Sequence, residues 1–301
     1  MTIPVCPGPI RATKTPSYKP PAGATDCHAH IFGPVERFPY SADRTYTPEE
    51  CTADDYAMML NTIGFRRAAL VQGGAHGTDN RAIVDAIARS GGNYRGVAVL
   101  GPGLAADQLE ELHASGLRGV RLSTMSGSGV PFSHLERLAA EVDELGWHVV
   151  LHFKDPNELL DVLPVLERIH NPFVLDHLAR ITAAEGVSSE PFRAVLRLLE
   201  TDRCYVKLAS MYRLSSEPYP HRDLLPMIHA VIAARPDRVI WGSNWPHPIH
   251  YHRLMPNDGD LVDLIPLWVP EATDRQKMLV DNPTALYGFG MPLEEHRDRA
   301  G

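Results

Sequence analysis

Two histidines separated by one residue, His28 and His30, close the segment Asp26-Cys-His-Ala-His30. In a strand the side chains alternate, so these two imidazoles share one face while Cys27 and Ala29 take the other. Two imidazoles side by side can grip one metal ion or one anionic oxygen. The plainer reading is a hydrogen-bonded pair at a partly exposed strand end. Two later apolar runs carry further histidines, His152 in His148-Val-Val-Leu-His152 and His177 in Phe173-Val-Leu-Asp-His177. One histidine in an apolar strand is ordinarily a satisfied core residue, but four at the ends of parallel strands share a site. Gln72 and His76 close another run and could donate to a substrate oxygen or simply hold a loop. Lys207 stands inside a strand pattern, where it neutralises a carboxylate or reaches the surface. Tyr212 lines a pocket or packs on a helix. His247 lies in a Trp-Pro-His-Pro turn whose prolines rigidity alone would explain.

The elements that must position these residues follow one rhythm. Short apolar runs occur at residues 25–31, 68–72, 96–100, 119–122, 148–153, 173–177, 204–208 and 238–242. Amphipathic helical patterns follow at 52–63, 78–90, 105–115, 133–145, 156–169, 190–201, 222–234 and 273–287, with Thr52, Thr78 and Ser133 as capping residues. Eight strands alternating with helices predict parallel βαβ units closed into a single distorted (β/α)8 TIM barrel, an α/β fold whose site lies at the C-terminal ends of the strands. An open doubly wound sheet is disfavoured, because no glycine-rich dinucleotide fingerprint follows any strand. Prolines crowd the start of the chain, so residues 1–23 read as an extended arm and residues 24–301 as the barrel.

The 301 residues are 44% hydrophobic and 22% charged, enough to bury a large core. A formal charge of −8 gives no basic field for nucleic acid, although a local basic pocket for a small anion remains open. Fifteen histidines are the one unusual count and point to metal or acid–base chemistry. Cys6, Cys27, Cys51 and Cys204 form no C-x-x-C pair, which excludes a cysteine-only zinc module and suits a reducing cytoplasm. No apolar run is long enough to span a membrane, and the first residues lack the layout of a signal peptide. The expectation is a cytoplasmic enzyme with a small-molecule partner, without nucleic acid or membrane; the oligomeric state is not legible.

The segment Arg238-Val-Ile-Trp-Gly-Ser-Asn-Trp-Pro-His-Pro248, paired with His28 and His30, resembles the amidohydrolase superfamily in the branch that contains many lactonases. The resemblance extends to Gly23-Ala-Thr-Asp-Cys-His-Ala-His-Ile-Phe-Gly33, to Val71-Gln-Gly-Gly-Ala-His-Gly-Thr-Asp-Asn80 and to Asp281-Asn-Pro-Thr-Ala-Leu-Tyr287. Within the branch the chain is most similar to 2-pyrone-4,6-dicarboxylate lactonases and next to D-galactarolactone isomerases. The resemblance implies that His28, His30 and His177 surround the scissile carbonyl. In metal-dependent members these residues hold a divalent ion such as zinc, and His152 stands at the position of a further ligand. Metal-free members carry tyrosine there, so His152 tilts the reading toward metal while a metal-independent route stays open. Substrate carboxylates would fall to Arg121, Tyr46 and Arg213. Two departures stand out. The stretch Ser123-Thr-Met-Ser-Gly-Ser-Gly129 lacks a further basic residue of the pyrone lactonases. Asn244 occupies the place of the catalytic aspartate of the hydrolases, and an amide cannot take the proton of an attacking water. The isomerases also have asparagine there.

The reading is therefore hydrolysis of a small carboxylated or sulfonated lactone in the catabolism of an aromatic or sugar acid. His28, His30, His152, His177 and Asn244 would act at the carbonyl, and Tyr46, Gln72, His76, Arg121 and Arg213 would bind substrate. The base is metal-activated water, His177 or His152, with Asn244 orienting the nucleophile. A lactone isomerase is the alternative that Asn244 favours. A metal-dependent decarboxylase is the third, and Asn244 counts against it.

Overall fold

Each of the eight apolar runs forms a strand. In the computed structural model, which describes residues 3–101, 103–125, 129–251 and 253–290, they are β1 Thr25–Ala29, β2 Arg67–Val71, β3 Tyr94–Ala98, β4 Leu117–Ser123, β5 His148–His152, β6 Phe173–Leu175, β7 Cys204–Ala209 and β8 Val239–Gly242. They pair in parallel and in chain order. The chain leaving β8 then returns to β1. Asn244 N donates to His28 O at 2.8 Å, His30 N donates to Trp245 O at 2.8 Å, and Ala29 bridges Trp245. This seam closes the (β/α)8 TIM barrel and brings His28, His30 and Asn244 together.

Helices α1 Ala53–Thr62, α2 Arg81–Arg89, α3 Ala106–Ala114, α4 Leu135–Asp143, α5 Glu158–Arg168, α6 Glu190–Leu199 and α7 Leu225–Ala234 fill the expected connections. Thr52 caps α1 in a reciprocal box with Asp55, as its sequence predicts. Thr78 and Ser133 do not cap. Asn80 precedes α2, and its amide bonds both the N–H and the carbonyl of Val99 at 3.0 Å. Helix α4 starts only after a 3₁₀ turn, Phe132–His134. Past β8, α8 Asp258–Asp263 and α9 Ile265–Trp268 come first. The helix expected over 273–287 then runs without a gap as α10 Ala272–Gln276, a π turn Lys277–Asp281 and α11 Asn282–Tyr287.

Inside the barrel Cys27, Ala69, Val71, Val97, Val150, Val174, Tyr205 and Ile240 pack with Tyr287 and Phe289. Outward-facing strand residues such as Leu70, Val120, Leu151, Val206 and Trp241 pack with the helices in a separate layer. Cys27 belongs to the inner set, contrary to the simple alternation expected. The register of β1 against β2 slips between Asp26 and Ala29. This bulge turns both Cys27 and His28 inward and leaves Asp26 to accept from Tyr56 and Ser243. Gly242 lies against the bulge, where a Cβ would stand 2.5 Å from that of His28. Only glycine fits there.

Residues 3–23 add no strand to the barrel sheet. They run across the loops, with Val5 bridging Thr47, Lys14 N donating to Asn257 and Tyr18 N donating to Asp263. Both ends of the expected division, residues 1–2 and 291–301, lie outside the described residues. The four cysteines are buried and unbridged, and no described helix is long and apolar enough to cross a membrane.

Candidate active site

A cavity lies at the strand ends, and its lining includes His30, Tyr46, Gln72, Arg121, His152, His177, Arg213 and Asn244. His28 is fully buried, its Nε2 3.3 Å from that of His30. His76 does not join them. Its ring stacks on Phe32 and meets Tyr40 edge-on, in the structural role that its loop position allowed. Gln72 reaches the cavity with the opposite polarity to that expected. Its amide nitrogen is spent on Gly77 O at 3.2 Å and Asp79 O at 2.7 Å, which leaves Oε1 as an acceptor. Residues 126–128, part of the stretch lacking a further basic residue, lie outside the described residues.

Beneath the cavity sits a buried charge cluster that centres on Asp176. Its Oδ1 lies 2.9 Å from Lys207 Nζ and 3.2 Å from His28 Nδ1, and its Oδ2 lies 2.9 Å from an Arg121 guanidinium nitrogen. Burial pushes the Asp176 carboxyl up, but the Lys207 and Arg121 cations beside it outweigh it and hold the group well below its ordinary value. The histidines respond in the other sense. Burial, helped by Arg121, drives His30 down to about 3, and burial also brings His177 to about 3. His28 and His152 are likewise held well below the ordinary imidazole value by burial. All four are neutral at pH 7.

Hydrogen-bond partners then assign the tautomers of His30 and His177. His30 Nδ1–H donates to Val71 O at 2.8 Å and His177 Nδ1–H to Ala209 O at 3.0 Å, so both present an Nε2 lone pair. Lys207 can only donate, and Nζ lies 3.4 Å from His28 Nδ1. Asp176 Oδ1, which can only accept, lies 3.2 Å from the same nitrogen, so a proton toward Asp176 and a lone pair toward Lys207 compete at His28 Nδ1. Ser123 Oγ accepts from Met125 N at 3.2 Å and lies 3.0 Å from His152 Nδ1, a contact that either tautomer of His152 can make.

Sequence reasoning missed Arg180 and Asp176. Arg180 lines the cavity beside Arg121 and Arg213. It arrives there because His177, Leu178, Ala179 and Arg180 all adopt positive φ, between 50° and 66°. A left-handed run of non-glycine residues costs about 1–2 kcal/mol per residue, and strain of this kind gathers at functional sites. No turn residue announces it in the sequence. Asp176 had a faint signal, since it directly precedes His177 and pairs across β7 with the one lysine of that strand.

Residues 25–289 match the family model described as amidohydrolase. The chain is 39% identical to a 2-pyrone-4,6-dicarboxylate hydrolase of Comamonas testosteroni, over 90% of this chain and 92% of the relative. It is 36% identical to a 4-sulfomuconolactone hydrolase of Rhizobium radiobacter, over 95% and 97% of the two chains. The apo crystal structure of an Agrobacterium tumefaciens protein superposes with a TM-score of 0.81 at 28% identity, covering 92% of this chain and 99% of that one. A seam that joins a paired-histidine strand to the residue after β8, and sequence likeness along nearly the whole barrel, lead to one assignment: this chain belongs to the amidohydrolase family.

Proposed function

We propose that the protein hydrolyses a small lactone bearing two anionic groups, carboxylate or sulfonate, in the breakdown of an aromatic or sugar acid. The observation that carries this reading is the arginine trio. Arg121, Arg180 and Arg213 line one cavity, and the Nε–H of each lacks an acceptor among the described residues. Unpaired guanidinium donors around a cavity call for planar or tripod anions. Lys207 lies just beneath, and Asp176 is the carboxylate paired with it. The excess of positive charge favours an anionic substrate over a neutral one. The relatives named above act, by their names, on a dicarboxylate and on a sulfonated lactone.

Anion binding positions the lactone carbonyl against His152, which in the tautomer protonated on Nε2 donates to the oxyanion as it forms. Water is held by Asn244 and His177. Its oxygen attacks the carbonyl carbon while His177 Nε2 takes the proton. The tetrahedral centre then expels the ring oxygen, and His177 returns the proton to it. Water is consumed, the C–O ring bond breaks, and an acid and a hydroxyl appear. The same anion also neutralises Arg121 and Arg180, two charges that otherwise oppose protonation of His177.

His28, Asp176 and His177 bring metal-type donors within 4.8 Å of one another. They do not fit a resident divalent ion. Both oxygens of Asp176 face cations of the protein, and His28 Nδ1 is shared between Asp176 and Lys207. The positive charge a metal would bring is already supplied by Lys207 and Arg121.

Turnover in oxygen-18 water of a panel of lactones with none, one or two anionic groups tests the proposal. Label in the new carboxylate and a preference for the dianions are expected; no ring opening across the panel would sink it. Asn244 favours one second reading, lactone isomerisation, in which a substrate hydroxyl replaces water. That reaction gives an isomeric lactone without label.

A further inference from the structure

The reaction above uses the Asp176 cluster and leaves a second buried cluster idle. Tyr212 sits in the turn after β7, His247 in the turn after β8 and Asp258 at the start of α8. All three are buried, and none is among the residues lining the cavity. Asp258 Oδ1 lies 3.2 Å from His247 Nε2. His247 Nδ1 lies 2.8 Å from Tyr212 Oη, and Tyr212 Oη accepts from Asn244 Nδ2 at 3.1 Å. The line ends at Asn244, which does face the cavity.

Neither Asp258 oxygen takes a hydrogen bond from another described residue, so His247 is the group that can neutralise it. A buried carboxylate with an imidazole as its counter-group draws a second proton onto that imidazole. Burial pulls His247 down, but Tyr212 and Asp258 carry it up to about 9. Its Nδ1–H then points at Tyr212 Oη, which already receives the Asn244 amide. Two donors on one phenol oxygen favour the phenolate. Burial raises Tyr212, yet His247 and Arg213 bring it below the ordinary phenol value. Arg213, 5.7 Å from the ring centre, is the remaining cation facing it. The His250 ring, at 5.2 Å, is held neutral near 4 by burial and Arg213.

The consequence falls on Asn244. With Nδ2 tied to Tyr212, the amide turns its Oδ1 to the cavity and cannot flip to offer a donor. Donation from Nδ2 to an oxygen that also faces His247 shifts electron density onto Oδ1. We propose that Asp258, His247 and Tyr212 form a buried relay that fixes Asn244 with its carbonyl oxygen toward the substrate and strengthens it as acceptor for the attacking hydroxyl. Tyr212 is thus a positioning residue that acts through Asn244. The relay gives an amide part of the role that a carboxylate at this position would play. This inference rests on the reaction proposed above.

A double-mutant cycle on the full chain tests it. Tyr212→Phe should lower kcat about 10- to 100-fold with KM within about threefold, since alignment of the nucleophile is lost and anion binding is not. In an Asn244→Ala background the same change should cost less than about twofold, because its target is gone. Additive losses, or a loss confined to KM, would overturn the relay. A second measurement needs no substrate. Ultraviolet titration of the wild type should show one tyrosine ionising below the rest. That tyrosine should vanish in Tyr212→Phe and move upward in His247→Gln. Absence of an early tyrosine in the wild type would overturn the relay even if the cycle could not be read. An early tyrosine in a protein inert toward every lactone would sink the proposed reaction and leave the relay standing.

Discussion

Two buried histidine–aspartate contacts in this barrel have nearly the same geometry and opposite protonation. His28 Nδ1 lies 3.2 Å from Asp176, and His247 Nε2 lies 3.2 Å from Asp258. His28 is held neutral, whereas His247 is held protonated. The difference lies in the company each carboxylate keeps. Asp176 is paired with Lys207 and Arg121, so a proton on His28 would be a third charge in a low-dielectric pocket. Asp258 has no lysine or arginine partner among the described residues, so His247 must supply the charge. Histidine protonation in a protein interior is set by the cations already present, and distance to a carboxylate does not decide it alone.

The largest effect should come from removing each carboxylate in turn. Asp176→Asn strands Lys207 and Arg121, which cannot readily shed their charge in a buried site. A broken buried pair of this kind costs about 3–5 kcal/mol. Asp258→Asn leaves His247 free to release its proton, so the cost should fall to about 1–3 kcal/mol, that of a lost partner for a buried polar group. Urea unfolding of the two variants measures both. Equal losses would show that the two contacts do not differ in the way argued.

Next in size is Arg180→Met. It removes a cation from the cavity without touching either histidine–aspartate contact. The loss of one charge-assisted contact to an anionic substrate is worth about 1.5–3 kcal/mol, or roughly 10- to 150-fold in kcat/KM. Arg121→Met should lose at least as much activity, and stability as well, because Arg121 also serves Asp176. Unchanged kinetics of Arg180→Met with every anionic lactone would remove it from the site.

Arg180 also marks where the sequence stopped being legible. The period of apolar runs, together with the capping box at Thr52, carries the barrel, because alternating strands and helices leave a strong local signal. His28, His30, His152 and His177 are visible because strand ends project onto one rim. Arg180 is not, since its placement depends on a left-handed turn that no glycine signals. Cys27 is misplaced by simple alternation because a bulge is a property of strand pairing, visible only with β2 alongside. Tyr212 follows β7, whereas His247 and Asp258 stand at the two ends of the connection from β8 to α8. Their meeting is a fact of barrel closure, and no spacing rule encodes it.

The two clusters should also separate in pH dependence. His247, raised from 6.5 to about 9, contributes stability that is full below pH 6.5 and is lost as pH rises through 9. His30, His148 and His177, lowered from 6.5 to about 3 with burial as the first cause, contribute stability present above pH 6.5 and lost as pH falls toward 3. Thermal unfolding should therefore peak near pH 6.5 and decline on both sides. His247→Gln should flatten the alkaline limb and leave the acid limb unchanged. A flattened acid limb instead would reverse the assignment.

The smallest expected effect is that of metal removal, and it sharpens the comparison most. If Lys207 and Arg121 meet the charge need of the Asp176 cluster, dialysis against a strong chelator should leave kcat within about twofold. Added zinc should not raise the melting temperature of the wild type, since an ion that binds the folded state would stabilise it by mass action. Lys207→Met changes the balance. Asp176 Oδ1 and His28 Nδ1 lose their shared cation, His28 can turn its proton inward to Asp176, and its Nε2 lone pair becomes available beside that of His30. Zinc should then raise the melting temperature of the variant, and His30→Ala in the same background should abolish the rise. A fall of more than tenfold in wild-type kcat on chelation, restored by zinc, would mean that the protein's own cations do not carry the charge at this site.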